Sequence, residues 1–324
     1  MGGKILSIAA HVPEKILTNE DLEKMVDTSD EWITTRTGIK ERHITKDNEY
    51  TSTLATEAAK KALDRAGISP MDLDMIVVAS ATHDYWFPAT ACLVQANIGA
   101  ENAACFDIEA ACPGFVYTLE IARGFLSIPN YNNILVIGAE TLTKITDFTD
   151  RGTCILFGDG AGAAVITKSE EEHFLGSYLK GNGKLGDLLI MPAGGTRKRC
   201  SEESIKNREH FIKMQGREVF KHAVVGMQEA AIKALENAGI SPSEVDWLVA
   251  HQANKRIIDA TRKKLGLPEE KVYINIDKYG NTSSASIPIA LNEMYEKGLL
   301  KEGQIIVLDA FGAGFIYGAI VIKW

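Results

Sequence analysis

Residues 57–79 read EAAKKALDRAGISPMDLDMIVVA, and residues 229–251 read EAAIKALENAGISPSEVDWLVAH. The second stretch lies 172 positions beyond the first, about half of a 324-residue chain. Each copy carries apolar residues at helical spacing and stops at Ala-Gly, where a glycine in the left-handed region caps the helix. Ile-Ser-Pro follows as a turn, then an acidic residue, then a short apolar run (75–80 and 247–250) that fits a buried strand. Agreement over so many positions is more than one turn idiom used twice. It predicts a duplicated α/β chain with halves at 1–170 and 171–324, each a mostly buried sheet covered by helices. No linker separates the halves, which predicts one body with its site at the seam.

Fainter echoes follow in the same order. The turn around Cys112 corresponds to Gly280-Asn281-Thr282, with Asn281 in the place of Cys112. An apolar strand at 133–138 corresponds to one at 304–309, and a glycine-rich hairpin at 158–166 to the segment 311–322.

Composition narrows the function. Lys and Arg number 35 against 43 Asp and Glu, a net charge of −8 that speaks against wholesale nucleic-acid binding. The five cysteines (Cys92, Cys105, Cys112, Cys154, Cys200) are scattered and lack C-x-x-C spacing, which favours a reducing compartment, the cytoplasm, over a disulfide framework or a zinc site. No apolar run approaches a membrane span of about 18 residues. The apolar stretch after Lys4 ends at Pro13 and reads as a first strand. Gly181-x-Gly183-x-x-Gly186 matches a dinucleotide fingerprint in letters only, because no amphipathic helix or acidic partner follows. The seven histidines show no metal-binding spacing.

Asp107-Ile108-Glu109-Ala110-Ala111-Cys112-Pro113-Gly114-Phe115 carries the chemistry. It places a cysteine where an apolar strand (103–106) gives way to a helix (115–125). Unpaired N–H groups and the dipole at a helix N-terminus favour an anion, and the thiolate is the nucleophilic form of cysteine. Pro113 suits the first helical position, and Gly114 lets another group approach the sulfur. In the second half the strand at 247–250 ends in His251-Gln252-Ala253-Asn254, ahead of a helix at 255–265. Gly280-Asn281-Thr282-Ser283 is a turn entering another helix, and Phe311-Gly312-Ala313-Gly314 is a tight turn able to aim N–H groups at an oxyanion. By residue type alone, Cys, His and Asn also suit a papain-type hydrolase or a non-catalytic acyl-binding module. A degradative thiolase requires a second cysteine near the C-terminus, and the last one is Cys200.

Taken together, Ala111-Cys112-Pro113-Gly114, His251-Gln252-Ala253-Asn254, Gly280-Asn281-Thr282-Ser283 and Phe311-Gly312-x-Gly314 resemble the β-ketoacyl-acyl-carrier-protein synthase III family over essentially the whole chain. The resemblance implies a thiolase-like fold of αβαβα layers, a homodimer, and an acyltransferase that starts type II fatty acid synthesis. It implies acylation of Cys112 from a short acyl-CoA, then decarboxylative condensation with malonyl-acyl carrier protein, with no cofactor or metal. His251 and Asn281 would serve decarboxylation, and the backbone of Cys112, Gly312 and Ala313 would form the oxyanion hole. Ala313 stands where relatives often have glycine. The resemblance assigns Thr28, Trp32, Arg36, Arg151, Gly216, Phe220 and Asn254 to CoA. It assigns Gln252, Ala253, Asn254, Lys255 and Arg256 to the carrier protein. Leu142, Phe311 and Phe87 would shape the acyl pocket, Phe87 reaching in from the partner subunit and limiting it to primers such as acetyl.

Two local readings stand beside these assignments. Residues 28–38 read as a capped helix in which Trp32 and Arg36 share a face, a pairing that stacks a base and grips phosphate. The helix at 255–265 carries Lys255, Arg256, Arg262, Lys263 and Lys264, and with Lys213, Arg217 and Lys221 it predicts a basic collar suited to an acidic partner.

Overall fold

The structure is a computed structural model that describes residues 2–324. Two main sheets form, one from each half. In the first half, β1 (Gly2–His11), β2 (Met75–Ala79), β3 (Ala104–Ile108), β4 (Asn133–Thr141) and β5 (Asp159–Ser169) pair in the order β1-β5-β4-β2-β3. In the second, β6 (Phe174–Gly181), β7 (Trp247–Ala250), β8 (Ile305–Gly312) and β9 (Ile316–Lys323) pair in the order β6-β9-β8-β7. The two orders are the same, except that the second half reduces its fifth strand to a parallel bridge between Leu248 and Val272. The principal helices are α1 (Asp30–Thr37), α2 (Thr51–Ala66), α3 (Thr90–Ile98), α4 (Gly114–Leu126), α5 (Gly216–Ala238), α6 (Lys255–Leu265) and α7 (Ser286–Glu296).

The repeated helix-turn-strand explains itself locally. α2 ends at Gly67 (φ 66°) and α5 at Gly239 (φ 67°), both left-handed. Ser69 and Ser241 then cap a single turn that opens on proline and leads into β2 or β7. Met75 and Val77 of β2 face one core while Ile76 and Val78 face another, so the strand is apolar throughout because both its faces are covered.

Five layers result. α2 packs on the outer face of the first sheet, along with Ala91 and Val94 of α3. α4 and α7 lie between the sheets in one core that joins Phe115, Val116 and Leu119 to Ile287, Leu291 and Met294. α5 and α6 cover the outer face of the second sheet. This αβαβα stack is the thiolase-like architecture implied by the sequence.

The 172-residue displacement continues well past the quoted stretch. α4 begins at Gly114 and α7 at Ser286; β4 begins at Asn133 and β8 at Ile305. Two non-glycine residues with left-handed backbone, Ala111 (φ 45°) and Ser283 (φ 48°), are equivalent by the same displacement. The structural counterpart of Cys112 is therefore Ser284, and the expected equivalence with Asn281 is off by three residues. The glycine-rich segment at 158–162 is also not a hairpin. Asp159 already opens β5, and a Cβ on Gly162 would stand 2.5 Å from Cβ of Pro288 in α7. The glycines there let a central helix press against the strand.

Candidate active site

Cys112 sits between β3 and the first turn of α4, with Pro113 at the cap and Gly114 as the first helical residue, one step later than expected. The left-handed backbone of Ala111 turns the chain, and its N–H donates to Oε1 of Glu109 at 3.2 Å. Gly114 is required here, because a Cβ on it would stand 2.6 Å from that of Ala79. Burial pushes the Cys112 thiol up to about 12; the hydroxyl of Ser283 opposes that rise, and the charges of Glu140 and Glu109 add to it. That burial works against the thiolate which the helix end favours, and only the helix end was visible in the sequence.

His251 follows β7, and its N–H donates to the carbonyl of Asp309 at 2.7 Å. Its Nδ1 lies 2.6 Å from Oγ of Ser286, the first residue of α7. That oxygen also accepts the N–H of Gln252 at 3.3 Å. Ser286 Oγ can donate its hydrogen to Nδ1 while accepting from Gln252, an arrangement that puts the ring hydrogen on Nε2. Nε2 is buried and has no protein partner among the described residues. Burial pushes the imidazole down to about 3, so the ring is neutral.

Asn281 is fixed by its backbone, which donates to Leu156 at 2.9 Å and accepts from Gly158 at 3.0 Å. Its Oδ1 accepts the N–H of Ser283 at 2.9 Å, which orients the side-chain amide and leaves Nδ2 as a free donor group.

Cys112, His251 and Asn281 line one cavity of about 200 Å³, with Gly312, Phe311 and Met214 around them. It continues past Gly216, Phe220, Asn254 and Ala253. A second cavity of about 250 Å³ also opens on Cys112 and is walled by Leu142, Ile145, Phe157, Met191 and Ala313. The nucleophile candidate thus stands where two chambers meet, one running along α5 and α6 and the other apolar. At the junction a Cβ on Gly312 would lie 2.7 Å from the Cys112 nitrogen. The left-handed positions of this turn are Gly314 (φ 72°) and Phe315 (φ 51°), so an alanine at 313 adds no strain.

The remaining sequence candidates fall in different places. The guanidinium carbons of Arg36 and Arg151 lie 4.6 and 4.4 Å from the ring centre of Trp32, which gathers these three at one surface site beside Thr28, whose hydroxyl is buried without a partner. Asn254 caps α6 and donates to the carbonyl of Arg36 at 3.0 Å, joining that site to the cavity. Lys255, Arg256, Arg217 and Lys221 are exposed, with Arg256 5.0 Å over the ring of Phe220. Lys213 leans on Asp147 instead, at 3.8 Å. Two assignments need correction. Gln252 is 1% exposed, and its amide is spent on Ala250, Tyr273 and Asn275, so it holds loops together and does not reach a partner. Phe311 lines the chamber with His251, not the apolar one. Phe87 is 85% exposed and lines neither cavity of its own chain.

Sequence reasoning passed over Ser286 and Glu140. Ser286 was findable, since it stands 172 positions beyond Gly114 as His251 does beyond Ala79. Glu140 is fully buried and accepts from the N–H of Ala81 (3.1 Å) and the hydroxyls of Thr82 (2.7 Å) and Ser284 (3.0 Å). It binds the two halves beside Cys112, and nothing in its local sequence marks it.

Family comparison agrees with this geometry. Residues 106–183 match the model of 3-oxoacyl-[acyl-carrier-protein] synthase III, and residues 235–324 match the model of its C-terminal part. The chain is 58% identical to a β-ketoacyl-[acyl-carrier-protein] synthase III of Caldanaerobacter subterraneus subsp. tengcongensis, over 99% of this chain and 97% of that protein. It is 50% identical to one from Clostridioides difficile, over 99% and 98%. Among solved structures, the 3-oxoacyl-[acyl-carrier-protein] synthase III of Aquifex aeolicus superposes with a TM-score of 0.92 at 48% identity, covering 100% of both chains.

Proposed function

This chain belongs to the 3-oxoacyl-[acyl-carrier-protein] synthase III family, and from that membership we propose how its own residues carry the reaction. It is a condensing acyltransferase that initiates fatty acid biosynthesis. In the first half-reaction Cys112 attacks the carbonyl of an acyl-CoA. The C–S bond to CoA breaks, and the leaving sulfur ends with the proton that Cys112 gives up. The backbone N–H groups of Cys112 and of the Gly312-Ala313 turn receive the oxyanion, each donor being worth about 3–4 kcal/mol.

In the second half-reaction malonyl-acyl carrier protein occupies the chamber with His251 and Asn281. Its carboxylate leaves as CO₂, and the electron pair left behind forms a thioester enolate. The Nε2–H of His251 and the Nδ2–H of Asn281 stabilise the enolate oxygen, and its carbon then attacks the acyl group on Cys112, breaking the C–S bond so that the 3-oxoacyl product leaves on the carrier protein and the Cys112 sulfur takes up a proton. With CO₂ loss supplying the carbanion, the step needs no metal or cofactor. Hydrogen on Nε2 favours a donor role for His251 and argues against its taking the Cys112 proton at that nitrogen.

CoA would lie from Trp32, Arg36 and Arg151 inward along Gly216, Phe220 and Asn254, and the carrier protein on Lys255 and Arg256. The proposal includes a cytoplasmic homodimer in which the exposed Phe87 closes the acyl chamber of the partner and keeps primers short. The observation that carries the reading is one cavity lined by a cysteine, a neutral imidazole and an oriented carboxamide. Turnover of acetyl-, isobutyryl- and octanoyl-CoA with malonyl-acyl carrier protein tests it. Acetyl-CoA should be used best. Preference for octanoyl-CoA overturns the short primer, and product formation after alkylation of Cys112 overturns the mechanism.

A further inference from the structure

Among the largest side chains that the fold buries completely, one is charged. Arg42 lies in the short strand Glu41–His43, which pairs with Ile16–Thr18, and it is 0% exposed. Its guanidinium donates to three neutral oxygens: the carbonyl of Leu17 at 3.1 Å, Oδ1 of Asn19 at 2.9 Å and the carbonyl of Ile155 at 2.7 Å. Its Nε is buried without a partner among the described residues. Burial pushes the group down to about 10, so it is still a cation at neutral pH. A buried cation held by neutral oxygens costs stability that an apolar side chain of similar length would not. What the apolar side chain lacks is a planar fork able to hold oxygens of separate segments at once.

Those oxygens lead to two parts of the site. Nδ2 of Asn19 donates to Oδ1 of Asp30 and to the carbonyl of Ile39, both at 2.8 Å, one at the start of α1 and the other just past its end. α1 carries Trp32 and Arg36. Ile155 follows the short helix Arg151–Cys154 and leads into Leu156 and Gly158, the two residues that hold the backbone of Asn281. The stem of Arg42 packs under that pairing: a Cβ on Gly158 or Gly280 would stand 3.1 or 3.2 Å from its Cβ. We propose that Arg42 is a positioning residue that sets Asn281 and the Trp32–Arg36–Arg151 cluster relative to one another, holding α1 through Asn19 and the support of Asn281 through Ile155. This rests on the reading of Asn281 as an enolate donor and of the cluster as the CoA site. None of the hydrogen bonds of Arg42 goes to the segment of Cys112 or to the turn at Gly312. Its loss therefore acts on acyl-CoA affinity and on condensation, not on the attack of Cys112 on a bound acyl-CoA.

Arg42→Met in the whole enzyme tests this, with acetyl-CoA and malonyl-acyl carrier protein as substrates and each rate normalised to the Cys112 that acylates, read by intact mass. KM for acetyl-CoA should rise about tenfold and condensation should fall about 10²-fold. Acylation at saturating acetyl-CoA should stay within about twofold of wild type. Asn19→Ser cuts the link to α1 alone, so it should raise the same KM and keep condensation. If Arg42→Met does not fold, Arg42→Lys decides: it keeps the charge, but one nitrogen cannot serve both sides, so both defects should appear. Wild-type kinetics in Arg42→Lys overturn the proposal. A fall of every normalised rate by one factor in Arg42→Met, with KM unchanged, overturns it as well, since that is the mark of a purely structural residue. Asn281→Ala and Arg151→Met distinguish failure of the underlying reading. If both keep wild-type kinetics, that reading falls and the proposal with it; if both are impaired while the Arg42 variants are not, the proposal alone falls.

Discussion

Ser286 and His251 are hydrogen-bonded at 2.6 Å in positions that the first half fills with Gly114 and Ala79. In both halves the end of a strand meets the start of a central helix. In the first half the junction is closed so tightly that only glycine fits. In the second the same junction has room for an imidazole and the hydroxyl that orients it. Duplication thus supplied a rigid strand-to-helix corner twice, and side-chain size at two positions decides which copy holds a proton donor.

Ser286→Ala should separate the two half-reactions. Losing the hydroxyl leaves Nδ1 buried without a partner, a cost of about 1–3 kcal/mol, and frees the ring to carry its hydrogen on either nitrogen. Condensation should fall about tenfold or more, while acylation of Cys112, read as a mass increase of the intact protein, stays near wild type. His251→Ala should lower condensation about 10²–10³-fold and still acylate. Equal loss in both half-reactions would show that His251 also serves acylation.

The duplicated helix-turn-strand was legible because its signals are local: a glycine stop, a Ser-Pro turn, an apolar strand. α6 was legible for the same reason, and it appears at Lys255–Leu265. What failed depended on the surroundings. The Cys112 thiol also feels how much water the fold removes, which the helix start does not encode. Gln252 sits in a motif beside His251 and looks like a contact residue, yet the loop turns its amide inward. Cys92 and Cys105 are thirteen residues apart in sequence and meet only because α3 folds back on β3.

Gly312→Ala should abolish acylation without unfolding the protein. The added methyl would stand 2.7 Å from the Cys112 nitrogen and 3.0 Å from its Cβ, displacing the oxyanion donors. A loss of about 10²-fold or more in the rate of acyl-enzyme formation is expected, with a near-wild-type circular dichroism spectrum. Normal acylation would remove this turn from the oxyanion hole.

Arg151→Met tests the surface site around Trp32. Arg151 covers the indole at 4.4 Å and donates to the carbonyl of Asp27 at 2.7 Å. If this site holds the CoA nucleotide, the substitution should raise KM for acyl-CoA about tenfold, equivalent to about 1.4 kcal/mol, and leave kcat and KM for the malonyl substrate unchanged. A change confined to the malonyl substrate would assign the site to the carrier protein instead.

Glu140 should make stability fall as pH rises through neutrality. Burial lifts its carboxyl from an ordinary 4.5 to about 7, despite the hydrogen bonds from Thr82, Ser284 and Ala81 that favour the anion. Between those two pH values the folded protein still holds a proton that the unfolded chain has released. Unfolding in that window releases the proton, so stability declines with pH up to about 7 and levels off above it. The total is about 3 kcal/mol for this one group. Glu293 works oppositely and lower: drawn down to about 2 with Lys278 and Lys297 hydrogen-bonded to it, it loses its contribution only in acid, whereas burial raises Asp159 and Asp309 as it raises Glu140. The difference between wild type and Glu140→Gln therefore isolates the effect. Urea midpoints at pH 5.5 and 8 should drop for the wild type and change much less for the variant. An equal drop in both would place the titrating group elsewhere. A wild type that gains stability toward pH 8 relative to the variant would mean that Glu140 is held as an anion beside Cys112.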